Sequence, residues 1–222
     1  MSLLDKVKAT SITLTKEIIV VDNNSRDRTK ELVSDWIIKN KDVTAKLIVE
    51  KIPGKGAAVR SAIKAASGDI LIIQDADLEY DPKDYNELLK PILEHKTRVV
   101  YGNRLGLKEN TTAHILFYLG GRIMTIAGTL IFGKDLKDIN TCYKVWDANL
   151  TKNVTFEEKG FAFDFAEKTP FFIKALKKKE KKDIALVPIH YYPRTVAQGK
   201  KVKWQDGVYG IWAMMKYRFR NI

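Results

Sequence analysis

Four short runs of apolar, mostly β-branched residues, each followed by a break, constrain this chain most. They are Glu17-Ile-Ile-Val-Val-Asp22, Lys46–Glu50, Asp69-Ile-Leu-Ile-Ile-Gln74 and Arg98–Tyr101. The run from Asp69 is apolar at consecutive positions, so both its faces must be covered, as in a parallel sheet with helices on each side. Between the runs, Leu32, Val33, Trp36 and Ile37, then Ala58, Val59, Ala62, Ile63 and Ala66, recur at the spacing of one helix face. Asp81-Pro82 opens a further helix, with Asp as N-cap and Pro at the first helical position. Strand alternating with helix means an α/β domain with a mostly parallel sheet. Beyond about residue 105 the pattern turns irregular and more helical, with a late strand expected over Val187–Tyr192.

The chain has 222 residues, enough for one sizeable domain. Its single cysteine, Cys142, excludes an intramolecular disulfide framework and a cysteine-based zinc site. The net charge of +12 is uneven: residues 151–222 carry 16 Lys and Arg against 7 Asp and Glu, while residues 1–150 carry 23 against 20. Such an imbalance points to an anionic partner, with a solvated lysine-rich face as the plain alternative. No nucleic-acid partner is expected, because the basic run Lys174–Lys182 lacks interleaved aromatics and no reading motif is present. The N-terminus has no basic flank followed by an apolar run, so no signal peptide is expected. Ile115–Phe132 is the most apolar stretch, but Arg122 lies near its centre with Gly120, Gly121 and Gly128 around it. A mid-membrane Arg costs about 2.5–3.5 kcal/mol on insertion scales. The stretch reads as a buried or membrane-surface helix rather than a spanning one.

Open α/β sheets bind ligands beyond the carboxyl ends of their strands, and Asp22, Asp75 and Asp77 fall there. Asp75-Ala-Asp77 puts two hard carboxylates in one loop, and Glu79 repeats the spacing. Oxygen donors of this kind suit Mg²⁺ or Mn²⁺. An acidic turn followed by an N-cap is the alternative. Gly54-Lys55-Gly56 precedes a helix and lets backbone N–H groups approach an anion, although a plain turn reads equally from it.

Together the pieces are more specific. The block Gly54-Lys-Gly-Ala-Ala-Val-Arg-Ser through Gln74-Asp-Ala-Asp-Leu-Glu-Tyr-Asp-Pro82 resembles the inverting family 2 glycosyltransferases, in particular their polyprenyl-phosphate branch, typified by dolichyl-phosphate mannose synthase. Ile18-Ile-Val-Val-Asp-Asn-Asn-Ser25, Tyr101-Gly-Asn-Arg104, Asp138-Ile-Asn-Thr-Cys-Tyr-Lys-Val145 and Asp206-Gly…Lys216-Tyr-Arg-Phe219 extend the likeness over residues 17–220. The resemblance implies a GT-A fold, a Rossmann-like single domain over residues 1–222. Residues 17–105 would bind the nucleotide sugar, and residues 106–222 would face acceptor and membrane. It implies that Asp75, Asp77 and Glu79 hold the metal, and that Asp22, Asn23, Lys55 and Asp75 bind the donor. Arg104, Arg194, Lys200 and Lys201 would meet the acceptor phosphate, with Arg194 on a mobile loop and catalytic beside Asp75 and Asp77. The implied reaction moves a hexose from GDP-mannose or UDP-glucose to a polyprenyl phosphate. The enzyme would lie peripherally on the cytoplasmic face of an anionic membrane, with a separate membrane-anchoring subunit as a possible partner. Trp204, Tyr209 and Trp212 are candidate interfacial anchors, while core packing is the preferred reading of Trp212, Met214 and Met215.

Departures from the family pattern set two further expectations. The family's opening strand, of the type Val-Ser-Val-Ile-Pro-x-Tyr-Asn-Glu, has no counterpart here, and Leu3–Leu14 reads as a remnant of the helix after it. The strands flanking that position would then be unpaired or rearranged, and a chain that binds nucleotide or membrane without turnover is one alternative. Asn23 and Asn140 stand where acidic residues are common. In Gly160-Phe-Ala-Phe-Asp-Phe-Ala-Glu167 the nearest acidic match is Asp164, the base that a hydroxyl acceptor would require.

Overall fold

The apolar runs become strands, but in two sheets rather than one. The computed structural model describes residues 2–111, 115–180, 183–195 and 204–220. Helix α1 (Leu3–Ala9) is closed at its start by a reciprocal capping box between Ser2 and Asp5, and it falls within the expected Leu3–Leu14 remnant. β1 (Glu17–Asp22) and β2 (Thr44–Val49) pair in parallel, from Glu17 opposite Thr44 to Asp22 opposite Val49. Helix α2 (Thr29–Lys39) connects them. Helix α3 (Lys55–Ala65) leads to β3 (Ile70–Ile72). Next come α4 (Tyr85–Leu93), β4 (Val99–Asn103), α5 (Ile115–Phe132), β5 (Lys144–Asp147), α6 (Lys168–Glu180), β6 (Ala185–Pro188) and α7 (Trp204–Arg218).

The second sheet has the order β3-β5-β4-β6. β5 is antiparallel to both β3 and β4, and β4 is parallel to β6. Hence β3, β4 and β6 point the same way, and their carboxyl ends share one edge of the sheet. β5 was not legible in sequence: Lys-Val-Trp-Asp is four residues long and charged at both ends. β3 is shorter than its apolar run because the chain turns away at Gln74, whose Oε1 accepts the hydroxyls of Tyr85 (2.9 Å) and Tyr143 (2.6 Å). The late strand begins two residues earlier than expected and ends at Pro188; Tyr191 forms only an isolated bridge, with Tyr80.

Among the described residues β1 ladders only with β2, and β3 only with β5. The apolar side chains Ile19, Val20, Val21 and Ile70–Ile72 are half-buried, whereas Val99, Val100, Tyr101 and Val145 are completely enclosed. The expectation that these two strands lack a common neighbour thus holds. The core sits under the second sheet. Trp146 of β5 packs against Phe172 of α6 with ring centroids 5.6 Å apart, and α4 lays Leu88 into the same cluster.

α5 and α7 pack on each other. Gly128 admits Ile139 and Met214, and Gly210 admits Met124 and Phe165, where a side chain would collide. Met214 is core, as read, but Trp212 and Met215 are half-exposed, because α7 turns only one face inward. α5 is the one helix among the described residues long and apolar enough to cross a membrane by length and composition, and 22% of that window is buried.

Leu88 is fully enclosed between α4 and the sheet. Leu88→Ala should lower unfolding free energy by about 2–5 kcal/mol, read as a lower denaturant midpoint with an unchanged m-value.

Candidate functional site

The common edge of β3, β4 and β6 gathers oppositely charged side chains. Beyond β3 come Asp75, Asp77 and Glu79; beyond β4 comes Arg104; beyond β6 comes the segment His190–Arg194. That last segment is fastened across the acidic loop by backbone and side chain together. Tyr192 N–H donates to the Glu79 carbonyl at 2.9 Å, and Arg194 N–H donates to Glu79 Oε1 at 2.8 Å. At its base, His190 N–H and Nδ1 each lie 2.7 Å from the Asp84 carboxylate. Asn110 bridges the two loops, donating to the carbonyls of Arg104 and Ile189 and accepting from Tyr191 N–H.

Arg194 closes over the acidic pair. Its Nη2 donates to Asp77 Oδ2 at 2.9 Å, and its Nε lies 3.5 Å from Glu79 Oε1, an ion pair rather than a well-formed hydrogen bond. Glu79 is buried and also accepts the Tyr191 hydroxyl at 3.2 Å. Burial, together with the charges of Asp75 and Glu79, raises the Asp77 carboxyl above its ordinary range despite Arg194. Leu78 between them adopts a left-handed φ of 60°, a strained conformation of the kind kept at functional sites. A cavity of about 440 Å³, lined by Asp77, Leu78, Thr111, Tyr192, Pro193 and Arg194, opens beside this contact.

Asp75 faces the other way. Its Oδ2 is 2.9 Å from Lys55 Nζ, which is itself 2.9 Å from Asp164 Oδ2. So Lys55 points into the protein. Two backbone donors of its loop are also engaged: Gly54 N–H donates to Asn23 Oδ1 at 2.7 Å, and Ala57 N–H to the Lys159 carbonyl at 3.1 Å. A Cβ at Gly54 or Gly56 would overlap the backbone of Lys159 or Glu158. In this conformation the two glycines serve the close approach of two chain segments. Asn23 also donates to the carbonyls of Glu50 and Ile52, so its amide ties β1 to the glycine loop. Asp22 is buried at the end of β1 and accepts Ser25 N–H.

Arg104 grips Asp138 with two parallel bonds of 2.7 Å and stacks over the Tyr191 ring at 4.9 Å. Burial alone would raise the Asp138 carboxyl, yet Arg104 beside it holds it below the ordinary value. Lys200 and Lys201 lie outside the described residues. Tyr191, Asn110, Asp84 and Asp138 carry this architecture and had no assigned role in the sequence reading. The one signal available for Asp138 was its place in the block Asp138–Val145.

Oxygen donors of three acidic residues in one loop match a hard divalent cation in kind. Yet among the described residues no three His, Cys, Asp or Glu side chains converge to hold one. The cause is visible: Asp75 is turned to Lys55, and Asp77 and Glu79 are turned to Arg194. The residues fit the ion in chemistry, and protein cations stand at the carboxylates.

A family model described as glycosyl transferase family 2 matches residues 2–145. Glycosyltransferase AglJ of Haloferax volcanii is 28% identical over 178 residues, which is 80% of this chain and 54% of that protein. A dolichyl-phosphate beta-glucosyltransferase of Dictyostelium discoideum is 27% identical over 67% of this chain and 48% of its own length. A dolichol-phosphate mannosyltransferase of Pyrococcus furiosus is 32% identical over 56% of this chain and 36% of its own length. The chain thus spans about half or less of these relatives. Glucosyl-3-phosphoglycerate synthase of Mycobacterium tuberculosis, solved with Mn²⁺, UDP-glucose and phosphoglyceric acid, superposes with a TM-score of 0.69 over 97% of this chain and 73% of that one, at 18% identity. That likeness is one of fold, GT-A.

Because the folded Asp138 carboxyl is held below its ordinary value of 3.8, its contribution to stability is present above that pH and is lost as pH falls below it. Asp138→Ala leaves Arg104 buried without a counter-charge and should cost about 3–5 kcal/mol. The variant should also lose part of the acid-limb slope in a stability-versus-pH titration.

Proposed function

The chain belongs to glycosyl transferase family 2, and from that premise we propose that it transfers a hexose, with inversion, from a nucleotide sugar to a polyprenyl phosphate at a membrane surface. GDP-mannose and UDP-glucose are the donors to test. The observation that carries this reading is Arg194 closed over Asp77 and Glu79 at the shared edge of β3, β4 and β6.

Two anions, the donor diphosphate and the acceptor phosphate, must meet there. Positive charge is therefore the first requirement. Arg194 supplies it on a segment tethered at His190, and its planar fork suits phosphate. A lipid phosphate is already an oxyanion near neutral pH. Its oxygen attacks the anomeric carbon, the bond from that carbon to the diphosphate breaks, and the electron pair leaves with the nucleoside diphosphate. Mg²⁺ or Mn²⁺ at Asp75, Asp77 and Glu79 supplies, when bound, the charge that stabilises that leaving group. No proton need be removed. This favours a phosphate acceptor over a hydroxyl one, because Asp164, the candidate base, has one oxygen on Lys55 and the other on Lys168. Burial would raise its carboxyl, but the surrounding lysines drive it far below the ordinary range, where it is a poor base.

The α5–α7 pair is the surface proposed to meet the membrane. Leu116, Ile123 and Leu130 of α5 and Trp204, Val208 and Trp212 of α7 are all at least half exposed. Lys216 sits over the Trp212 ring at 5.6 Å, beside this apolar strip. Lys and Arg near an anionic leaflet contribute about 1 kcal/mol each. A peripheral seat on the cytoplasmic face, and an anchoring subunit beside it, remain part of this proposal.

The experiment is transfer of labelled hexose from GDP-mannose or UDP-glucose to dolichyl or undecaprenyl phosphate in vesicles containing anionic phospholipid. Asp77→Ala should abolish the lipid product while leaving the melting temperature near that of the wild type; full activity in that variant would sink the assignment. Arg194→Ala should lower transfer by roughly 10²–10³-fold. In the donor-free protein it should tighten Mn²⁺ binding, because the competing guanidinium is gone. Weaker Mn²⁺ binding in Arg194→Ala would contradict the competition.

A further inference from the structure

A chain of charges runs from the acidic loop into the core. Asp75 Oδ2, Lys55 Nζ and Asp164 Oδ2 follow one another at 2.9 Å, and Asp164 Oδ1 is 2.9 Å from Lys168 Nζ. Lys168 has no exposed surface; its ammonium lies 4.4 Å from the Trp146 ring centroid. Lys144 is also fully buried nearby, donating to the carbonyls of Ile139 and Thr141. Asp164 stands on a π-helical turn, Phe163–Glu167, inserted just before α6. Such turns recur at functional sites, because the extra residue re-aims a side chain. The glycines that flank Lys55 are what let the neighbouring loop come close enough for the contact.

We infer that Asp164 and Lys168 are positioning residues for the reaction: Asp164, held by Lys168, shares the Lys55 ammonium with Asp75 and thereby sets how strongly Asp75 can engage a divalent cation. The inference rests on the reading of Asp75, Asp77 and Glu79 as cation ligands. Both Asp164 oxygens are on lysines, so it acts through Lys55. The energetics follow from one ammonium shared between two carboxylates. With Asp164 neutralised, Lys55 pairs with Asp75 alone, and the local negative charge also falls; both weaken cation binding. With Lys168 neutralised, Asp164 draws Lys55 more strongly and a repelling charge disappears; both strengthen it. A role confined to holding the fold together would instead make the two variants fail alike.

The test is titration of the full chain with Mn²⁺, alone and with saturating UDP or GDP, by calorimetry or by the loss of the free-ion electron spin resonance signal. Asp164→Asn should weaken Mn²⁺ binding by roughly ten- to a hundredfold, the range for groups that orient metal ligands. Lys168→Gln should tighten it. The double variant, which removes one charge of each sign, should melt near the wild type and bind Mn²⁺ with intermediate affinity. If Asp164→Asn leaves the buried Lys168 without a counter-charge and does not fold, the Lys168→Gln and double variants still decide the sign. Unchanged affinity, or a shift in the same direction in both single variants, overturns the inference while leaving the ligand assignment standing. A wild-type chain that binds no Mn²⁺ under either condition overturns the ligand assignment itself, and this inference with it.

Discussion

The pairing of Lys55 with Asp75 and Asp164 is the contact on which the arrangement depends. Lys55 starts α3 in the N-terminal half, Asp75 follows β3, and Asp164 belongs to the turn before α6. A buried ammonium is costly unless opposite charges face it, and breaking such a contact from one side typically costs several kcal/mol. Close approach is a precondition, and Gly54 at φ 120°, a conformation that disfavours side-chain-bearing residues, gives the chain the turn that delivers Lys55. Folding of the C-terminal half and geometry of the acidic loop are thereby coupled through one side chain.

The divided sheet bears on the same coupling. β1 with β2, and β3 with its three partners, form separate ladders. Side chains rather than ladder hydrogen bonds join them across the gap. Ile18 and Ile73 belong to one hydrophobic cluster, and Ser67 N–H reaches the Glu17 carboxylate at 3.0 Å. Asn23 adds its link from the end of β1 to the glycine loop. Donor-binding candidates Asp22 and Asn23 thus sit on the smaller sheet, while the acidic loop sits on the larger. Their spacing depends on α3 and its docking.

Each acidic residue of the loop has a protein cation as its partner. Arg194 holds two of them and Lys55 the third, but the cations differ in mobility. The Lys55 side chain is 18% exposed, with its ammonium held between two carboxylates; Arg194 is about one-third exposed at the rim of a cavity. A partly exposed guanidinium can exchange carboxylates for phosphates at modest cost, because water screens the intermediate positions. An ammonium clamped between two carboxylates at 2.9 Å exchanges them less readily. This difference assigns Arg194 to the changing part of the site and Lys55 to the fixed part. Arg104, stacked on Tyr191 and gripped by Asp138, resembles Lys55 in this respect.

Much of this was legible along the chain. Apolar runs separated by helical spacing fixed the α/β class and placed Asp75 and Asp77 beyond a strand's carboxyl end, while their roles and the naming of Arg194 came from the family resemblance. The helix in Leu3–Leu14 and the unpaired flanks of β1 and β3 followed from the family resemblance and the opening strand it lacks here. What stayed hidden depends on long-range contact. β5 pairs on both sides through residues at least 43 apart in sequence, the nearest pair being Tyr101 with Lys144, and its own four residues carry no periodic signal. Sequence could place lysine and arginine near anionic ligands but could not say that Lys55 and Arg104 turn inward to Asp164 and Asp138, since a side chain's direction is decided by which counter-charge the folded backbone brings within 3 Å. The residue types determined the chemistry available. Tertiary structure alone decided which charges are satisfied within the protein and which remain to be exchanged with a ligand, because burial makes an unpaired charge too costly to keep.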